Sequence, residues 1–412
     1  MKNELKKRIN NIGVFWEGEQ WGGTDTLLSN LINTDAFKEI NVVIFTNKKN
    51  LGAKRFLKNL KNKKVDLVYF NSLITLASNN IILKILLNLL KPISFLISIF
   101  QFYFILRNYK FQVFIGMCGG YGNFRSEMAS IFIAKFLGFP VRSLVVCHAC
   151  TKPIFWNTTL NLINNLLSKF LTSVISISKA TRETLFNKSN LLDRSLYSDL
   201  KNSVIYCGVP ISQEVNVASN IDSIIYKDSK DVFLLGMLSR IESYKGQEDL
   251  IKGFSKLPKN TQNKLKIYFI GDGSKKEVEK LKKLISINNL ESYFIFTGYI
   301  DCESTLIVSK LDLLVSLTRT FEGFGLSIVE AMSVGTPVLA TKVGAITEYL
   351  NQDNSKLVDA SNIEQITNAL NDFVTNKNSW DKKTETAKNV AMKNFTSEIM
   401  ANNYLNHFIQ NL

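Results

Sequence analysis

The stretch Glu322–Glu348, EGFGLSIVEAMSVGTPVLATKVGAITE, constrains the fold of this chain more than any other. It begins with a loop flanked by glycines and continues as an apolar pattern typical of a helix. The helix is predicted to stop at Gly335-Thr336-Pro337, a glycine and proline stop signal. The short apolar run Pro337–Ala340 then predicts a buried parallel strand. An α/β domain with a parallel sheet follows from this order of elements.

The same stretch has the features of a phosphate and sugar site. Gly323 and Gly325 let backbone N–H groups approach a ligand closely, and a helix start favours phosphate through its unpaired amides and its dipole. Glu322 lies just before the helix and Glu330 lies about two turns further on. Carboxylates only accept hydrogen bonds, so they suit hydroxyl groups. A nucleoside-diphosphate sugar offers sugar hydroxyls, a pyrophosphate and ribose hydroxyls in that order.

The stretch resembles the Glu-x7-Glu motif of retaining glycosyltransferases with the GT-B fold, in particular glycosyltransferase family 4, the group 1 type. The spacing of the acids, the Gly-x-Gly between them, the Glu-Ala-Met and the Gly-Thr-Pro-Val all match. The alternative is an ordinary surface helix with two acids, which would be preferred for an isolated pair of glutamates. The resemblance implies that Glu322 contacts the donor sugar and Glu330 the ribose. It further implies donor contacts from Gly323, Phe324, Gly325 and Leu326.

Two cations earlier in the chain complete the implied donor site. Arg240 and Lys245 follow an apolar strand, and their Arg-x4-Lys-Gly spacing resembles the pyrophosphate clamp of the family. Such a clamp would meet the charge of a departing nucleoside diphosphate. The alternative is a pair of exposed basic residues on a loop. The chain has no Asp-x-Asp metal motif, so we expect no metal and no cofactor apart from the nucleotide-sugar donor.

The first half of the chain is less specific. Asn11–Trp16 predicts a strand, and Gly22 and Gly23 lie in the loop before the next helix, as in a Rossmann-like domain. By resemblance this glycine pair faces the donor phosphates and the acceptor. His148 follows a predicted strand, Val141–Cys147, at the edge of the sheet where ligands bind. It is either a catalytic group near the sugar that takes a proton or a loop histidine bonded to backbone.

The predicted architecture is GT-B: two Rossmann-like α/β domains that face a central cleft. The expected boundaries are an acceptor-binding domain over 1–210, a linker over 211–231 and a nucleotide-sugar-binding domain over 232–394. The final helix, 395–412, is expected to return to the first domain.

The net charge of +15 suits an anionic partner, and its distribution matters more than its size. The stretch Lys48–Lys64 has eight Lys or Arg and no acid, with Ala53, Phe56, Leu57 and Leu60 at helical spacing. It predicts a basic amphipathic helix that either lies on anionic lipid or packs normally with a solvated face. Because Phe56 is its only aromatic residue, we expect no nucleic-acid binding.

A second segment, Ile81–Leu106, is unusually apolar and predicts two helices on either side of Pro92, each with one narrow polar stripe. Its uncharged run is shorter than the roughly 20 residues that span a membrane. The helices therefore either pack inside the first domain or dock on a bilayer. The five cysteines show no paired spacing, and the N-terminus has no apolar signal core, which favours a cytoplasmic protein.

The sequence thus predicts a metal-independent, retaining glycosyltransferase of the hexosyltransferase type. It would be peripheral on the inner face of the cell membrane and would act on a lipid-linked or surface-polysaccharide acceptor. The alternative is a catalytically silent GT-B scaffold in a membrane-associated polysaccharide assembly complex. The donor base, the sugar, the acceptor and the linkage stay open.

Overall fold

The computed structural model describes residues 9–18, 22–73, 81–122, 125–151, 156–189, 191, 201–211, 221–227 and 229–412. The side chains of residues 81–84 and 157 are not described. The chain divides into two compact units. Unit 1 comprises Met1–Gly208 and Ser397–Leu412, and unit 2 comprises Val209–Thr396. Each unit is built on a parallel sheet with helices between the strands, which confirms the predicted α/β class with two Rossmann-like domains.

The sheet of unit 1 has seven strands among the described residues, in the order β3-β2-β1-β4-β5-β6-β7. The strands are β1 Asn11–Trp16, β2 Asn41–Asn47, β3 Val65–Phe70, β4 Val113–Cys118, β5 Val141–Val146, β6 Ser173–Ser176 and β7 Lys201–Val204. All pairings are parallel, and β4 and β5 are buried along their whole length, as expected for central strands covered on both faces. The strand order reverses between β1 and β4, and ligands bind at such a switch point.

Helices connect these strands. They are α1 Gly23–Ile32, α2 Gly52–Lys58, α3 Ile81–Leu89, α4 Lys91–Leu106, α5 Ser126–Phe136, α6 Asn157–Phe170 and α7 Lys179–Lys188. The last helix of the chain also belongs to unit 1 and packs against α1. At one end of this last helix the Asp35 amide donates to Glu398 Oε1 at 2.7 Å, and at the other Lys201 Nζ donates to the Gln410 carbonyl at 2.6 Å.

The predicted basic helix is α2, and part of its apolar side lies in the core of unit 1. Ala53 and Phe56 are buried, and the Phe56 ring lies 5.3 Å from the buried Trp16 ring. Leu57, another residue of the predicted apolar side, is 45% exposed, so normal packing accounts for only part of that side and binding to anionic lipid stays a prediction.

The apolar segment forms two helices, as predicted, with Pro92 in the first turn of α4. Proline is tolerated there because its missing N–H would have no helical partner. The buried side of α4 presents Phe95, Ser98 and Phe102, and the Ser98 hydroxyl donates to the Ser94 carbonyl at 2.7 Å. No helix within the described part of the chain is long and apolar enough to cross a membrane.

The sheet of unit 2 has six described strands, all parallel, in the order β10-β9-β8-β11-β12-β13. The strands are β8 Phe233–Leu238, β9 Leu265–Ile270, β10 Phe294–Gly298, β11 Leu313–Ser316, β12 Val338–Thr341 and β13 Lys356–Val358. The helices are α8 Ile221–Ile224, α9 Gln247–Ser255, α10 Lys259–Gln262, α11 Lys275–Ile287, α12 Ser304–Ser309, α13 Leu326–Val334, α14 Ile363–Thr375 and α15 Lys377–Asn394, before α16 Ser397–Ile409 of unit 1. The order reverses between β8 and β11, so the loops after these strands flank the switch point of unit 2.

The first and last residues of unit 2 lie next to each other. The Val209 amide donates to the Phe395 carbonyl at 2.8 Å, and Val209 forms an isolated bridge with Thr396. Residues 221–227, which the sequence analysis assigned to a linker, pack on unit 2: the Tyr268 hydroxyl donates to the Tyr226 carbonyl, and Lys227 pairs with Asp312 at 2.8 Å. Residues 212–220 of that predicted linker lie outside the described residues.

Candidate functional site

The loop between β11 and α13 carries the predicted donor residues. Gly325 ends this loop with a φ of +86°, in the left-handed region that favours glycine, and a Cβ there would lie 2.9 Å from Tyr349 Oη. The Tyr349 hydroxyl donates to the Phe324 carbonyl, and the buried Phe324 ring packs against Tyr349 and Phe395. The loop backbone is therefore fixed where α13 begins at Leu326, and the Phe324 ring is packed in the interior.

Glu322 is held by groups from two other parts of unit 2. Lys245 Nζ lies 2.8 Å from Glu322 Oε2, and the Thr318 hydroxyl donates to the same oxygen at 2.9 Å. The Glu322 carbonyl accepts from the Ala345 amide at 2.9 Å. A Cβ on Gly344 would come within 2.3 Å of that carbonyl, so the turn after β12 has room only for glycine. The structure thus brings Glu322 and Lys245 together across 77 positions of sequence.

Glu330 is buried in α13, and α12 holds its carboxylate. The Ser304 hydroxyl donates to Glu330 Oε1 at 2.5 Å. Glu322 before α13 and Glu330 within it are therefore each fixed by a hydroxyl donor, Thr318 and Ser304 respectively. Neither hydroxyl was identified from the sequence, because both contacts depend on how the loops fold.

Arg240 and Lys245 have different surroundings. Arg240 follows β8, its side chain is 55% exposed, and its Nη1 lies 2.8 Å from Glu242 Oε1. Lys245 is mostly buried and its Nζ lies 5.2 Å from the centre of the Tyr244 ring. Burial, together with a hydrogen bond to Glu242, raises the pKa of the Tyr244 hydroxyl to about 12. Lys245 therefore contacts Glu322 directly, while Arg240 presents an exposed guanidinium on the same loop.

The sequence analysis missed a second clamp, formed by Arg319, which joins the loop of Arg240 and Lys245 to the loop of Glu322. Arg319 forms two parallel bonds to the buried Asp249 in the first turn of α9, with Nε–Oδ2 at 2.8 Å and Nη2–Oδ1 at 2.6 Å. Its Nη1 donates to the Ser243 carbonyl at 3.2 Å and its amide to the Tyr244 carbonyl at 2.7 Å. The hydrogen bond to Asp249 raises the pKa of Arg319 above its usual value.

Arg319 lies three positions before Glu322, but no local pattern in the sequence marks it as part of a clamp. Its partner was equally hidden. Asp249 is 70 positions away and resembles an ordinary first-turn helix acid.

In unit 1, Gly22 and Gly23 stand at the start of α1, after β1. The Gly22 amide donates to Asp25 Oδ2 at 2.5 Å, which caps the helix. Asp25 is buried, and this burial raises the pKa of its carboxyl to about 7. The sequence analysis did not select Asp25, although an acid three positions after an N-cap residue is a recognisable capping signal.

His148 is exposed and follows β5 directly after Cys147. Gly119 and Gly120, which follow β4, separate it from the Gly22–Gly23 loop: a Cβ on Gly120 would lie 3.8 Å from His148 Cβ, and one on Gly119 would lie 3.9 Å from Thr24 Oγ1. The loops after β1, β4 and β5 therefore meet at one edge of the unit 1 sheet, and they include every unit 1 residue predicted for the site.

The chain resembles known proteins in sequence and in fold. Residues 221–390 match the family model described as "Glycosyl transferases group 1". The chain is 28% identical over 235 residues to "Uncharacterized glycosyltransferase MJ1069" of Methanocaldococcus jannaschii, which covers 57% of each protein. It is 32% identical over 160 residues to the poly(glycerol-phosphate) alpha-glucosyltransferase of Bacillus subtilis, covering 38% of this chain and 23% of that protein. The matches thus span 57% of the first relative's length and 23% of the second's.

Among solved structures, Anabaena HepE in complex with UDP and glucose superposes with a TM-score of 0.75 at 18% identity, covering 98% of this chain and 100% of that one. The fold is therefore that of the GT-B glycosyltransferases. The family-model match lies within unit 2, and the solved structure shows the fold of the chain.

Proposed function

We propose that this chain is a glycosyltransferase that moves a sugar from a nucleotide-sugar donor to an acceptor hydroxyl, and that the donor binds to unit 2. The observation that carries the proposal is the fixed Glu322 carboxylate at the start of α13, with Lys245 and Thr318 on one of its oxygens. Its other oxygen, Oε1, has no hydrogen-bond partner among the described residues and can accept from a sugar hydroxyl. The family match supports the proposal, since it covers this part of the chain.

Each part of the donor has a group of matching chemistry. Glu322 accepts from the sugar hydroxyls, and Glu330, held by Ser304, accepts from the ribose hydroxyls. The amides at the start of α13 and the cations Arg240 and Lys245 stabilise the diphosphate. Loss of one preorganised contact to a developing charge typically costs ~2.7–4 kcal/mol of barrier. UDP-sugars are the first donors to test, because the structural neighbour HepE binds UDP and glucose.

We further propose that the transfer is retaining and needs no metal. The bond from the anomeric carbon to the diphosphate oxygen breaks, and the acceptor oxygen forms its bond on the same face of the sugar. The transition state carries oxocarbenium character, and the diphosphate leaves with the bonding electron pair. The acceptor proton passes to the departing phosphate oxygen or to His148. A glycosyl-enzyme adduct trapped in a mass spectrum would contradict this mechanism.

The acceptor is proposed to be a glycan or a lipid-linked glycan of a cell-surface polysaccharide. One relative supports this proposal: the Bacillus subtilis protein is named as a poly(glycerol-phosphate) alpha-glucosyltransferase. By resemblance, the loops around Gly22, Gly23 and His148 in unit 1 would contact this acceptor.

The test is thermal stabilisation of the full chain by UDP-, GDP-, ADP- and dTDP-sugars in the presence of EDTA. A ligand at ~100 times its Kd should add about 2.7 kcal/mol of stability. One nucleotide should stabilise the wild type, and Glu330→Ala should reduce its affinity by removing the ribose contact. Glu364→Ala, at an exposed position in the first turn of α14, is the matched control and should respond as the wild type does.

The outcomes separate the proposal from its alternative. Stabilisation in EDTA that is lost with Glu330→Ala supports a metal-free donor site and identifies the base. Stabilisation only after Mg²⁺ is added would contradict metal independence but would still agree with the proposed glycosyltransferase activity. If no nucleotide binds under either condition, the catalytically silent scaffold becomes the better account of the fold.

A further inference from the structure

The outer side of α4 is the most apolar exposed surface in the described part of unit 1. Five of its side chains are about half exposed or more, and their spacing of three or four residues puts them on one face of the helix. They are Ile93, Leu96, Ile97, Phe100 and Phe104, with Phe100 the most exposed at 70%. We call this surface the α4 apolar face.

The orientation of α4 is the reverse of that expected for a helix exposed to water. A surface helix turns its polar residues outward and its apolar residues inward. In α4 Ser98, a residue of the predicted polar stripe, is fully buried, and the partly buried Gln101 donates to the Asn71 carbonyl at 2.9 Å. The side left exposed is almost entirely hydrocarbon. A helix that is apolar all round is normally covered on all sides, so the outer side of α4 requires something to cover it.

Neighbouring helices extend the apolar face. Leu86 and Leu89 of α3 are exposed beside the start of α4, and Phe136 at the end of α5 packs its ring 6.0 Å from that of Tyr103 in α4. Trp156, at the start of α6, is 40% exposed and its indole N–H donates to the Asn88 carbonyl of α3 at 3.3 Å. Exposed phenylalanine and tryptophan beside leucine and isoleucine are the residues that proteins place at a membrane interface.

The stretch of sequence that contains this surface carries many basic residues and almost no acids. Residues 67–182, which contain α3 to α6, have eleven Lys or Arg and a single acid, Glu127, which is buried. Arg107 stacks its guanidinium 5.1 Å from the Phe104 ring at one end of the face, and Lys135 is exposed beside Phe136. Cations at the rim of an apolar surface attract the headgroups of anionic lipids.

We propose that the α4 apolar face docks unit 1 on an anionic lipid bilayer, with the exposed phenylalanines in the headgroup and acyl boundary and Arg107 and Lys135 at the lipid phosphates. The helix lies in the membrane plane, since it is too short to span. A two-fold dimer through the same face is disfavoured, because it would bring the two copies of this cationic rim together with no exposed acid from residues 67–182 to neutralise them. This docking is independent of the proposed sugar transfer.

The test is flotation of the full chain with vesicles of phosphatidylcholine alone and of an equal mixture of phosphatidylcholine and phosphatidylglycerol. The wild type should bind the mixed vesicles at least about tenfold more tightly. Leu96→Gln with Phe100→Gln should weaken this binding by about tenfold or more, because two inserted side chains are lost. Ile287→Gln, at a 68% exposed position of unit 2, is the matched control and should bind as the wild type does.

A second pair of substitutions tests the electrostatic contribution of Arg107 and Lys135 to vesicle binding. Arg107→Gln with Lys135→Gln should weaken binding to the mixed vesicles by about fivefold per charge and leave the weak binding to phosphatidylcholine unchanged. Circular dichroism and thermal unfolding check that all variants stay folded. Equal vesicle binding by the wild type and the Leu96/Phe100 variant would overturn the proposal. A lipid-free dimer that this variant dissociates would also overturn it and would assign the face to a second copy of the chain.

Discussion

Replacement of Arg319 with alanine should loosen the two loops that hold Glu322 and Lys245. The substitution removes both bonds to Asp249 and the bond to the Ser243 carbonyl, and it leaves a buried carboxylate with no counterion. Breaking a buried ion pair costs about 3–5 kcal/mol. Because the Arg319 side chain is about a quarter exposed, we expect a smaller loss, of about 2–3 kcal/mol in the free energy of unfolding.

A double-mutant cycle isolates the pair. Asp249→Ala combined with Arg319→Ala should cost less than the sum of the two single substitutions, with a coupling energy of about 2 kcal/mol. Arg319→Lys keeps the charge but loses the fork geometry, so its effect should lie between those of the wild type and Arg319→Ala. Lys377→Ala, which breaks an exposed pair with Asp381, is the matched control and should cost about 0.5 kcal/mol or less.

The assay is urea unfolding of the full chain followed by circular dichroism, with hydrogen exchange read on peptides that cover residues 239–249 and 317–325. Faster exchange should appear in both segments of Arg319→Ala and in neither segment of Lys377→Ala. If Arg319→Ala costs no more than the control and exchange in both segments is unchanged, the pair does not hold the loops, and the assignment of Arg319 as a positioning residue fails.

Three further predictions concern single residues. Gly246→Ala should destabilise unit 2 by about 2 kcal/mol or more, because φ is +84° and the new Cβ would meet a backbone carbonyl oxygen at 2.1 Å. Gly138→Ala is the control: its φ is +76° but the space around it is open, so it should cost about 1–2 kcal/mol. Thermal unfolding compares the two variants. Thr318→Val should weaken binding of the stabilising nucleotide sugar in calorimetry while costing only about 1 kcal/mol of stability, because Glu322 loses one hydroxyl donor. For Asp25, burial raises the carboxyl pKa from 3.8 to about 7, so its protonated form adds stability below pH 4 that is lost as the pH rises through 7. Asp25→Asn should therefore lose less stability than the wild type between pH 5 and pH 8 in urea unfolding, and equal losses would contradict this assignment.

The sequence alone determined the strands and the start of the key helix. The strand Asn11–Trp16 has the predicted bounds, because a short apolar run between turn signals is a local property of the chain. The glycine-rich loop before α13 was equally local, since Gly325 must adopt a positive φ to begin the helix. The parallel α/β class followed from these units, and the family resemblance selected Glu322, Glu330, Arg240 and Lys245 for the site.

Only the tertiary structure decided which groups meet. The Lys245–Glu322 contact and the Arg319–Asp249 clamp each join side chains at least 70 positions apart, and no local pattern encodes such a distance. The buried side of α4 also could not be predicted from the sequence. Because that helix is apolar on nearly every side, its period could not show which side faces the core. Packing against the sheet and α5 buries Ser98 and leaves Phe100 exposed. Local chemistry fixes the elements of this protein, and long-range packing fixes its contacts.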